Sequence, residues 1–224
     1  MRKLPLYQVD AFSDRPFAGN PAAVCLLEAP LDDAVMQQIA AENNLSETAF
    51  VDLGGGADAD ILGLRWFTPA VEIDLCGHAT LAAGFVLLNE VAPGRARVGF
   101  QTRSGHLFVE RGADQELVLD LPLAPPEPVD AGARARVIRA AGVEPQAIVR
   151  AAGANGAYFA ELASAAAVRA AAPDLAAVAA LGTGLGLTAA GTDEARPVDF
   201  VSRYFAPSHG VDEDPVTGSA HCTL

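Results

Sequence analysis

The sequence predicts an α+β protein made of two domains of similar size. Alternation of apolar and polar residues, which is typical of strands, occurs in both halves, together with runs that have helical spacing of apolar residues. The segment 122–130 contains four prolines in nine residues, a composition that disfavours helix and sheet alike and is typical of a linker. One long motif occurs once on each side of this segment. We therefore expect one domain at 1–122 and another at 123–224.

The first half is predicted to form several strands around one or two helices. Met36, Ile39 and Ala40 have helical spacing after an aspartate-rich start, which predicts a short amphipathic helix within 31–44. A second helical run, 77–94, is stopped by its final Pro and Gly. Strand-like segments are 6–12, 22–28, 46–53, 59–69, 96–105, 106–112 and 116–122.

The second half also mixes the two kinds of element. Predicted helices lie at 133–142, 163–172 and 173–182. Predicted strands lie at 146–152, 157–162, 185–190 and 199–205.

Composition and charge exclude several classes of protein. Of the 224 residues, 51% are hydrophobic and 19% charged, which argues against disorder. The net charge of -13 would repel nucleic acid and anionic membranes, so neither is an expected partner. Three cysteines are too few, and odd in number, for a disulfide framework. With no signal-peptide or membrane-spanning pattern, reduced thiols predict a cytoplasmic location.

The repeated motif is "RWFTPAVEIDLCGHAT" at 65–80 and "RYFAPSHGVDEDPVTGSAH" at 203–221. Each copy runs through acidic residues to a glycine, Gly77 or Gly218, that is expected to begin a helix. Unpaired amides in the first turn of a helix bind anions. Two such turns could face each other across an interdomain groove and hold a small carboxylate. The alternative is that the repeat records gene duplication and both glycines are structural.

Four segments in order, "VDAFSDRPFAGNPAAV", "NLSETAFV", the first copy of the motif and "DEDPVTGSAH", resemble the PhzF-like phenazine-biosynthesis isomerase family. This family has the diaminopimelate epimerase-like fold. The resemblance implies that each domain is a curved, barrel-like mixed sheet around a central helix. It further implies an active site between the domains, proton transfer without a cofactor or metal, and a homodimer.

Glu47 is the candidate proton carrier. Strand alternation places it on one face with Ala49, Val51 and Leu53. A carboxylate on an apolar face is costly to ionise, a property suited to a general acid/base. From the residues alone, an edge-strand glutamate whose carboxylate reaches water is slightly favoured over this role. The resemblance matches Glu47 to the family's acid/base, which moves a proton between carbons of an allylic acid.

The other candidate site residues follow the two motif glycines. His78 could bind substrate, shuttle a proton or cap its helix. The resemblance matches Asp214 and Ser219 to substrate-binding positions, although a serine here could equally be an N-cap and an aspartate before Pro215 could simply form a turn. The predicted substrate-binding set is Gly77, His78, Asp214, Gly218 and Ser219.

Alignment of the two copies sets Cys76 opposite Thr217, which keeps a second enzyme class open. Racemases of similar fold use two cysteines, and a hydroxyl cannot act as a matched base, so racemisation is disfavoured. A hydroxyproline dehydratase-like enzyme that pairs Cys with Thr remains an alternative, as does a buried, inert Cys76. "CGH" and "AHC", even with His209 nearby, match no ordinary zinc spacing.

Three further expectations concern the ends of the motif. Arg65 and Arg203 are either substrate clamps or structural partners of the acidic residues that follow them. His209 and His221 are expected at the rim of the site. A helix opened by Gly218 has no room to complete, which predicts a C-terminally incomplete second half and an inactive, truncated binding module as another alternative. The sequence identifies neither the substrate acid nor a role in phenazine synthesis.

Overall fold

Two mixed β-sheets, one in each of two units of the chain, form the framework. The computed structural model describes residues 3–56, 59–152, 156–192 and 198–224. The units are Met1–Pro122 and Leu123–Leu224, and each has its own sheet and hydrophobic core. The predicted α+β fold class with two mixed sheets is confirmed. Among the helices of these described ranges, none is long and apolar enough to cross a membrane.

The first unit contains an eight-stranded sheet in which β1, β2, β3, β4, β6, β7 and β8 are neighbours in that order, with β5 paired to β4. The β2–β3 and β4–β6 pairs are parallel and the others antiparallel. The elements are β1 (Leu6–Ala11), β2 (Asn20–Leu27), α1 (Asp33–Asn43), β3 (Glu47–Asp52), β4 (Ile61–Phe67), β5 (Glu72–Ile73), α2 (Gly77–Val86), β6 (Arg97–Thr102), β7 (Gly105–Arg111) and β8 (Leu117–Asp120).

The sheet of the first unit curls around α2. This helix contacts β1, β2 and β3 near one end of the strand order and β7 and β8 at the other. Close approach depends on small residues, because a Cβ built on Gly84 would lie only 2.5 Å from Cγ1 of Val109. A π-helical turn, Leu87–Val91, continues α2 towards the predicted stop.

Alternate residues of β3 serve two cores. Ala49 and Val51 pack on the face that holds α2, whereas Phe50 packs on the opposite face with Met36 of α1. Because side chains alternate along a strand, Glu47 shares the face of Ala49 and Val51. The predicted alternation therefore directs Glu47 towards α2.

The second unit contains a six-stranded sheet in the order β14-β13-β12-β11-β10-β9. Helices α3 to α5 cover one face, around Val137, Leu185 and Leu187. The elements are β9 (Pro126–Pro128), α3 (Ala131–Ala141), β10 (Ala147–Ala151), β11 (Tyr158–Glu161), α4 (Ala165–Ala170), α5 (Leu175–Ala179), β12 (Leu185–Ala190), β13 (Phe200–Ala206) and β14 (Val211–Asp214). Short 3₁₀ helices lie at Ala113–Gln115, Pro207–His209 and Gly218–Cys222.

Two sequence-based expectations differ from the structure. The proline-rich segment was expected to avoid sheet, yet Pro126–Pro128 forms β9, which pairs with β10 at the end of the strand order. Proline is tolerated there because an edge strand leaves one row of its N–H groups unpaired. The glycine turn at Gly218 opens a 3₁₀ helix of five residues, so it differs from the ten-residue α-helix that begins at Gly77.

Candidate active site

The repeated motif encodes the same arginine–glutamate pair in both units. Arg65 of β4 donates from Nε and Nη2 to the two carboxylate oxygens of Glu72, at 2.7 and 2.8 Å. Arg203 of β13 makes the same two bonds to Glu213, again at 2.7 and 2.8 Å. Two parallel N–H···O bonds of this kind fix orientation as well as contributing energy. Both arginines are therefore structural partners of the acidic residues, which decides between the two roles predicted for them.

Further contacts anchor the first pair beside the segment that leads to α2. Arg103 forms an ion pair with Glu72, with Nη2 and Oε2 2.5 Å apart, and the hydroxyl of Ser104 donates to the backbone carbonyl of Asp74 at 2.8 Å. Arg65 also donates to Asp33 and holds the pKa of that carboxyl below its ordinary value. In the second unit, Arg203 lowers the pKa of Glu213 in the same way. Each site-bearing turn thus follows a strand that is tied down by charge-assisted hydrogen bonds.

Glu47, Cys76 and His78 lie together in the first unit. Oε2 of Glu47 is 3.3 Å from Nε2 of His78, and Sγ of Cys76 is 3.5 Å from Nδ1 of the same ring. Cys76 occupies the N-cap position of α2 in an extended conformation, and Gly77 and His78 are the first two helical residues. All three side chains are largely removed from solvent, with 13% of the Glu47 side chain exposed.

Burial keeps the imidazole of His78 neutral. Desolvation lowers the pKa of His78 from 6.5 to about 4, and a hydrogen bond to the carbonyl of Pro21 only partly opposes this effect. The contact between His78 and Glu47 is therefore one between a neutral imidazole and a carboxyl group. It is not an ion pair at neutral pH. A neutral ring can lie beside the carboxyl group without placing a second charge in the core.

The other predicted substrate-binding residues, Asp214, Gly218 and Ser219, lie within six residues of one another in the second unit. Asp214 ends β14, and its carboxylate accepts a short hydrogen bond from the hydroxyl of Thr217. Gly218 and Ser219 are the first residues of the 3₁₀ helix, whose N-cap is Thr217. Ser219 therefore does not occupy the N-cap position, which was the structural role considered for it. Its role in binding substrate stays a prediction.

The two histidines expected at the rim are exposed. His209 lies in the 3₁₀ helix that follows β13, and Nδ1 of His221 is 3.1 Å from the carbonyl of Thr217. The contact of His221 with Thr217 adds no reactive group beside Asp214.

Glu47, Cys76 and His78 each offer one atom that could bind a cation, and these atoms lie within 4.8 Å of one another. Of these three residues, the sequence spacing predicted proximity for Cys76 and His78 alone. The ring, however, presents different nitrogens to the thiol and to the carboxylate. A metal binds along the lone pair of one ring nitrogen, so an ion held by Nε2 and Glu47 would leave the thiol beside the other nitrogen.

A cavity of about 330 Å³ lies elsewhere in the first unit. Its wall includes Met36 and Phe50, which belong to the core on the α1 side of the sheet, and Arg65 and Arg103. None of the predicted site residues lines this cavity. Both arginines are already bonded to acidic side chains, so the cavity offers no unneutralised cation for an anionic substrate.

Two contacts of the site were not predicted. The hydrogen bond between the Pro21 carbonyl and His78 arises because β2 lies beside β3 in parallel register, with Ala22 opposite Glu47. The segment "VDAFSDRPFAGNPAAV", which contains Pro21, supported the family resemblance but gave no indication of this contact. The Thr217–Asp214 bond had a sequence signal, since a hydroxyl three residues after an aspartate often closes a turn.

Comparison with known proteins gives consistent matches over nearly the whole chain. A family model described as phenazine biosynthesis-like protein matches residues 9–224. An uncharacterized isomerase of Pseudomonas aeruginosa is 50% identical over 223 residues, which cover 99% of this chain and 80% of the relative. A human phenazine biosynthesis-like domain-containing protein is 42% identical over 242 residues, covering 99% of this chain and 82% of that protein.

Solved structures show the same likeness. The crystal structure of a PhzF family protein from Enterococcus faecalis superposes with a TM-score of 0.82 and 42% identity, covering 99% of this chain and 80% of that one. A hydroxyproline epimerase from Agrobacterium vitis superposes with a TM-score of 0.58 at 10% identity, covering 97% of this chain and 74% of that one. The second likeness concerns the fold alone.

Proposed function

The chain belongs to the PhzC-PhzF family of phenazine biosynthesis-like proteins, and from this premise we propose that it moves a proton within a small carboxylate-bearing molecule by general acid/base catalysis. The predicted family is confirmed, and so is the prediction of an isomerase, the class for which the Pseudomonas relative is named. The proton-transfer mechanism, the carboxylate substrate and the absence of a cofactor belong to the proposal.

The observation that supports the mechanism best is the placement of Glu47 beside the buried, neutral imidazole of His78. In the proposed reaction, the Glu47 carboxylate removes a proton from one carbon of an unsaturated acid. The double bond shifts, and the protonated glutamate returns the proton to another carbon. A neighbouring imidazole that stays neutral can donate a hydrogen bond to the carboxylate without competing for the proton.

The remaining predicted residues receive substrate-binding roles in this proposal. Gly77 and His78 stand at the start of α2, where unpaired amides favour a negatively charged group. Asp214, Gly218 and Ser219 are assigned to the same role because of the family resemblance. Arg65 and Arg203 have no part in binding the substrate, since both are bonded to glutamates.

Substitution of Glu47 by Gln tests the proposal. A thermal-shift screen with small unsaturated acids and amino acids first supplies a compound that the wild-type protein turns over. We then expect Glu47→Gln to lower the incorporation of solvent deuterium into that compound by at least about 100-fold. Glu110→Gln is the matched control, because Glu110 is an exposed strand glutamate. Incorporation by Glu47→Gln at the wild-type rate would show that Glu47 is not the acid/base.

The dehydratase-like alternative needs Cys76 and Thr217 to act on substrate together. The hydroxyl of Thr217 already donates to Asp214, and the thiol of Cys76 faces His78. These contacts favour Glu47 over Thr217 as the group that carries the proton.

We also propose a cytoplasmic homodimer. The three cysteines, all in described segments, are buried and form no disulfide with one another, in keeping with a reducing compartment, and the homodimer follows the family resemblance. Light scattering after gel filtration tests the dimer, and a mass of about 23 kDa, that of one chain, would contradict it.

A further inference from the structure

The two nitrogens of the His78 ring face chemically different groups. Nδ1 is 3.5 Å from the sulfur of Cys76, and Nε2 is 3.3 Å from a carboxylate oxygen of Glu47. Only 2% of His78 and 5% of Cys76 are exposed, so water does not compete for these positions. The partners of the ring therefore decide which nitrogen carries its single proton.

Donor and acceptor capacity distinguishes the two tautomers of the neutral ring. An ionised Glu47 and the Pro21 carbonyl, which also contacts the ring, can only accept hydrogen bonds. The Cys76 thiol can donate. With the proton on Nδ1, the lone pair of Nε2 would face the carboxylate oxygen in a buried site, which is unfavourable for both acceptors. With the proton on Nε2, the thiol donates to Nδ1, and a positively polarised N–H group lies beside the Glu47 carboxylate in place of a lone pair. The 3.3 Å contact between Nε2 and Oε2 is then an electrostatic attraction and not an aligned hydrogen bond.

We propose that Cys76 is a positioning residue whose thiol donates to Nδ1 of His78 and so favours the ring proton on Nε2, the nitrogen that lies 3.3 Å from Glu47. This role deepens the proposed function, because it explains how a donor is held opposite the base. The tautomer itself does not depend on catalysis. It also gives Cys76 a role that requires neither attack on substrate nor a partner in Thr217.

The tautomer can be observed directly. Long-range ¹H–¹⁵N correlation spectra of protein labelled with ¹⁵N-histidine distinguish protonated from unprotonated ring nitrogens. The His78 signals are assigned by their loss in His78→Gln. At pH 8, above the ordinary pKa values of histidine and glutamate, we expect the proton of His78 on Nε2 in the wild-type protein.

Two substitutions then test the thiol. Cys76→Ala removes the donor to Nδ1 while Glu47 still favours a proton on Nε2, so we expect a mixture of tautomers in which the Nδ1-protonated fraction is higher than in the wild type. Cys25→Ala is the matched control, because Cys25 is an equally buried thiol of the same unit that packs in the core on the α1 side of the sheet. A wild-type ring protonated on Nδ1, or a Cys76→Ala ring that keeps the wild-type tautomer, would overturn the proposal.

Kinetics separate this proposal from the proposed function. With a substrate that shows solvent-deuterium incorporation, we expect Cys76→Ala to lower kcat about tenfold with little change in KM, equivalent to about 1.4 kcal/mol. Unchanged kcat in a variant with an altered tautomer would remove the catalytic part of the proposal. If Glu47→Gln retained full activity while the tautomer followed the thiol, the proposed function would fail and the hydrogen-bond assignment would stand.

Discussion

Single side chains in the core of the first unit show how burial sets chemistry. His78 would be half protonated near pH 6.5 in water, but inside the sheet its charged form loses hydration and its pKa falls to about 4. The Cys25 thiol shows the same effect with the opposite sign, because burial raises its pKa to about 11. In both cases the protein interior favours the neutral form.

The lowered pKa of His78 predicts a pH-dependent stability. Between pH 6.5 and 4 the unfolded chain binds a proton at this residue and the folded chain does not, so acidification favours unfolding. The contribution of neutral His78 to the free energy of unfolding is complete above pH 6.5. It falls by about 3 kcal/mol in total as the pH is lowered to about 4. Urea unfolding should show a smaller loss between pH 7 and 4 for His78→Gln than for the wild type. The exposed control His106→Gln should follow the wild type.

Gly84 predicts a steric cost within α2. An alanine Cβ there would meet three side-chain atoms of Val109 at 2.5 to 2.8 Å, so we expect Gly84→Ala to destabilise the protein by about 1 to 3 kcal/mol despite the better helix propensity of alanine. Gly94→Ala, with no atom within 4 Å of the new Cβ, should be nearly neutral. A double-mutant cycle with Val109→Gly, which removes all three of these atoms, checks the cause, since independent effects of the two changes would contradict a direct clash.

At the level of strands and helices, the two copies of the motif form equivalent arginine–glutamate pairs in different surroundings. The side chain of Glu72 is 14% exposed and forms ion pairs with Arg65 and Arg103, whereas that of Glu213 is 42% exposed and pairs with Arg203. Ion pairs weaken as water reaches them, so the same sequence feature has a different energetic value in each unit.

We therefore expect Glu72→Gln to destabilise the protein by about 1 to 3 kcal/mol and Glu213→Gln by less than about 1 kcal/mol. Chemical denaturation of the two variants under one buffer condition measures the difference. High salt should reduce the effect at Glu213 more than that at Glu72. Equal losses of unfolding free energy in the two variants would mean that burial does not strengthen the Arg65–Glu72 pair.

The sequence was most informative where a pattern extends over several residues. Alternation along β3 placed Glu47 on the inner face, and the doubled motif located both glycine turns. The strands β5, β9 and β14 were missed because they have two to four residues, too few for a periodic signal. The contacts of His78 with Cys76 and Pro21 could not be predicted, because they depend on strand register and side-chain rotamers.

Over the whole molecule, the main cores of the two units predict two centres of stability. Leu64 is buried in the core of the first unit and Leu187 in that of the second. Substitution of either by Ala should cost about 2 to 5 kcal/mol. In hydrogen exchange, we expect protection to fall first in the unit that carries the substitution. An equal loss of protection in both units would contradict this expectation.

The glycine and alanine residues of α2 have a consequence for how this protein can be altered. The helix lies inside the curled sheet, and its small side chains determine how closely the strands can approach it. The volume of these side chains therefore also determines the separation between strand β3 and the start of α2. A change in the distance between Glu47 and His78 would begin with substitutions that alter side-chain volume along α2, several residues away from either reactive group.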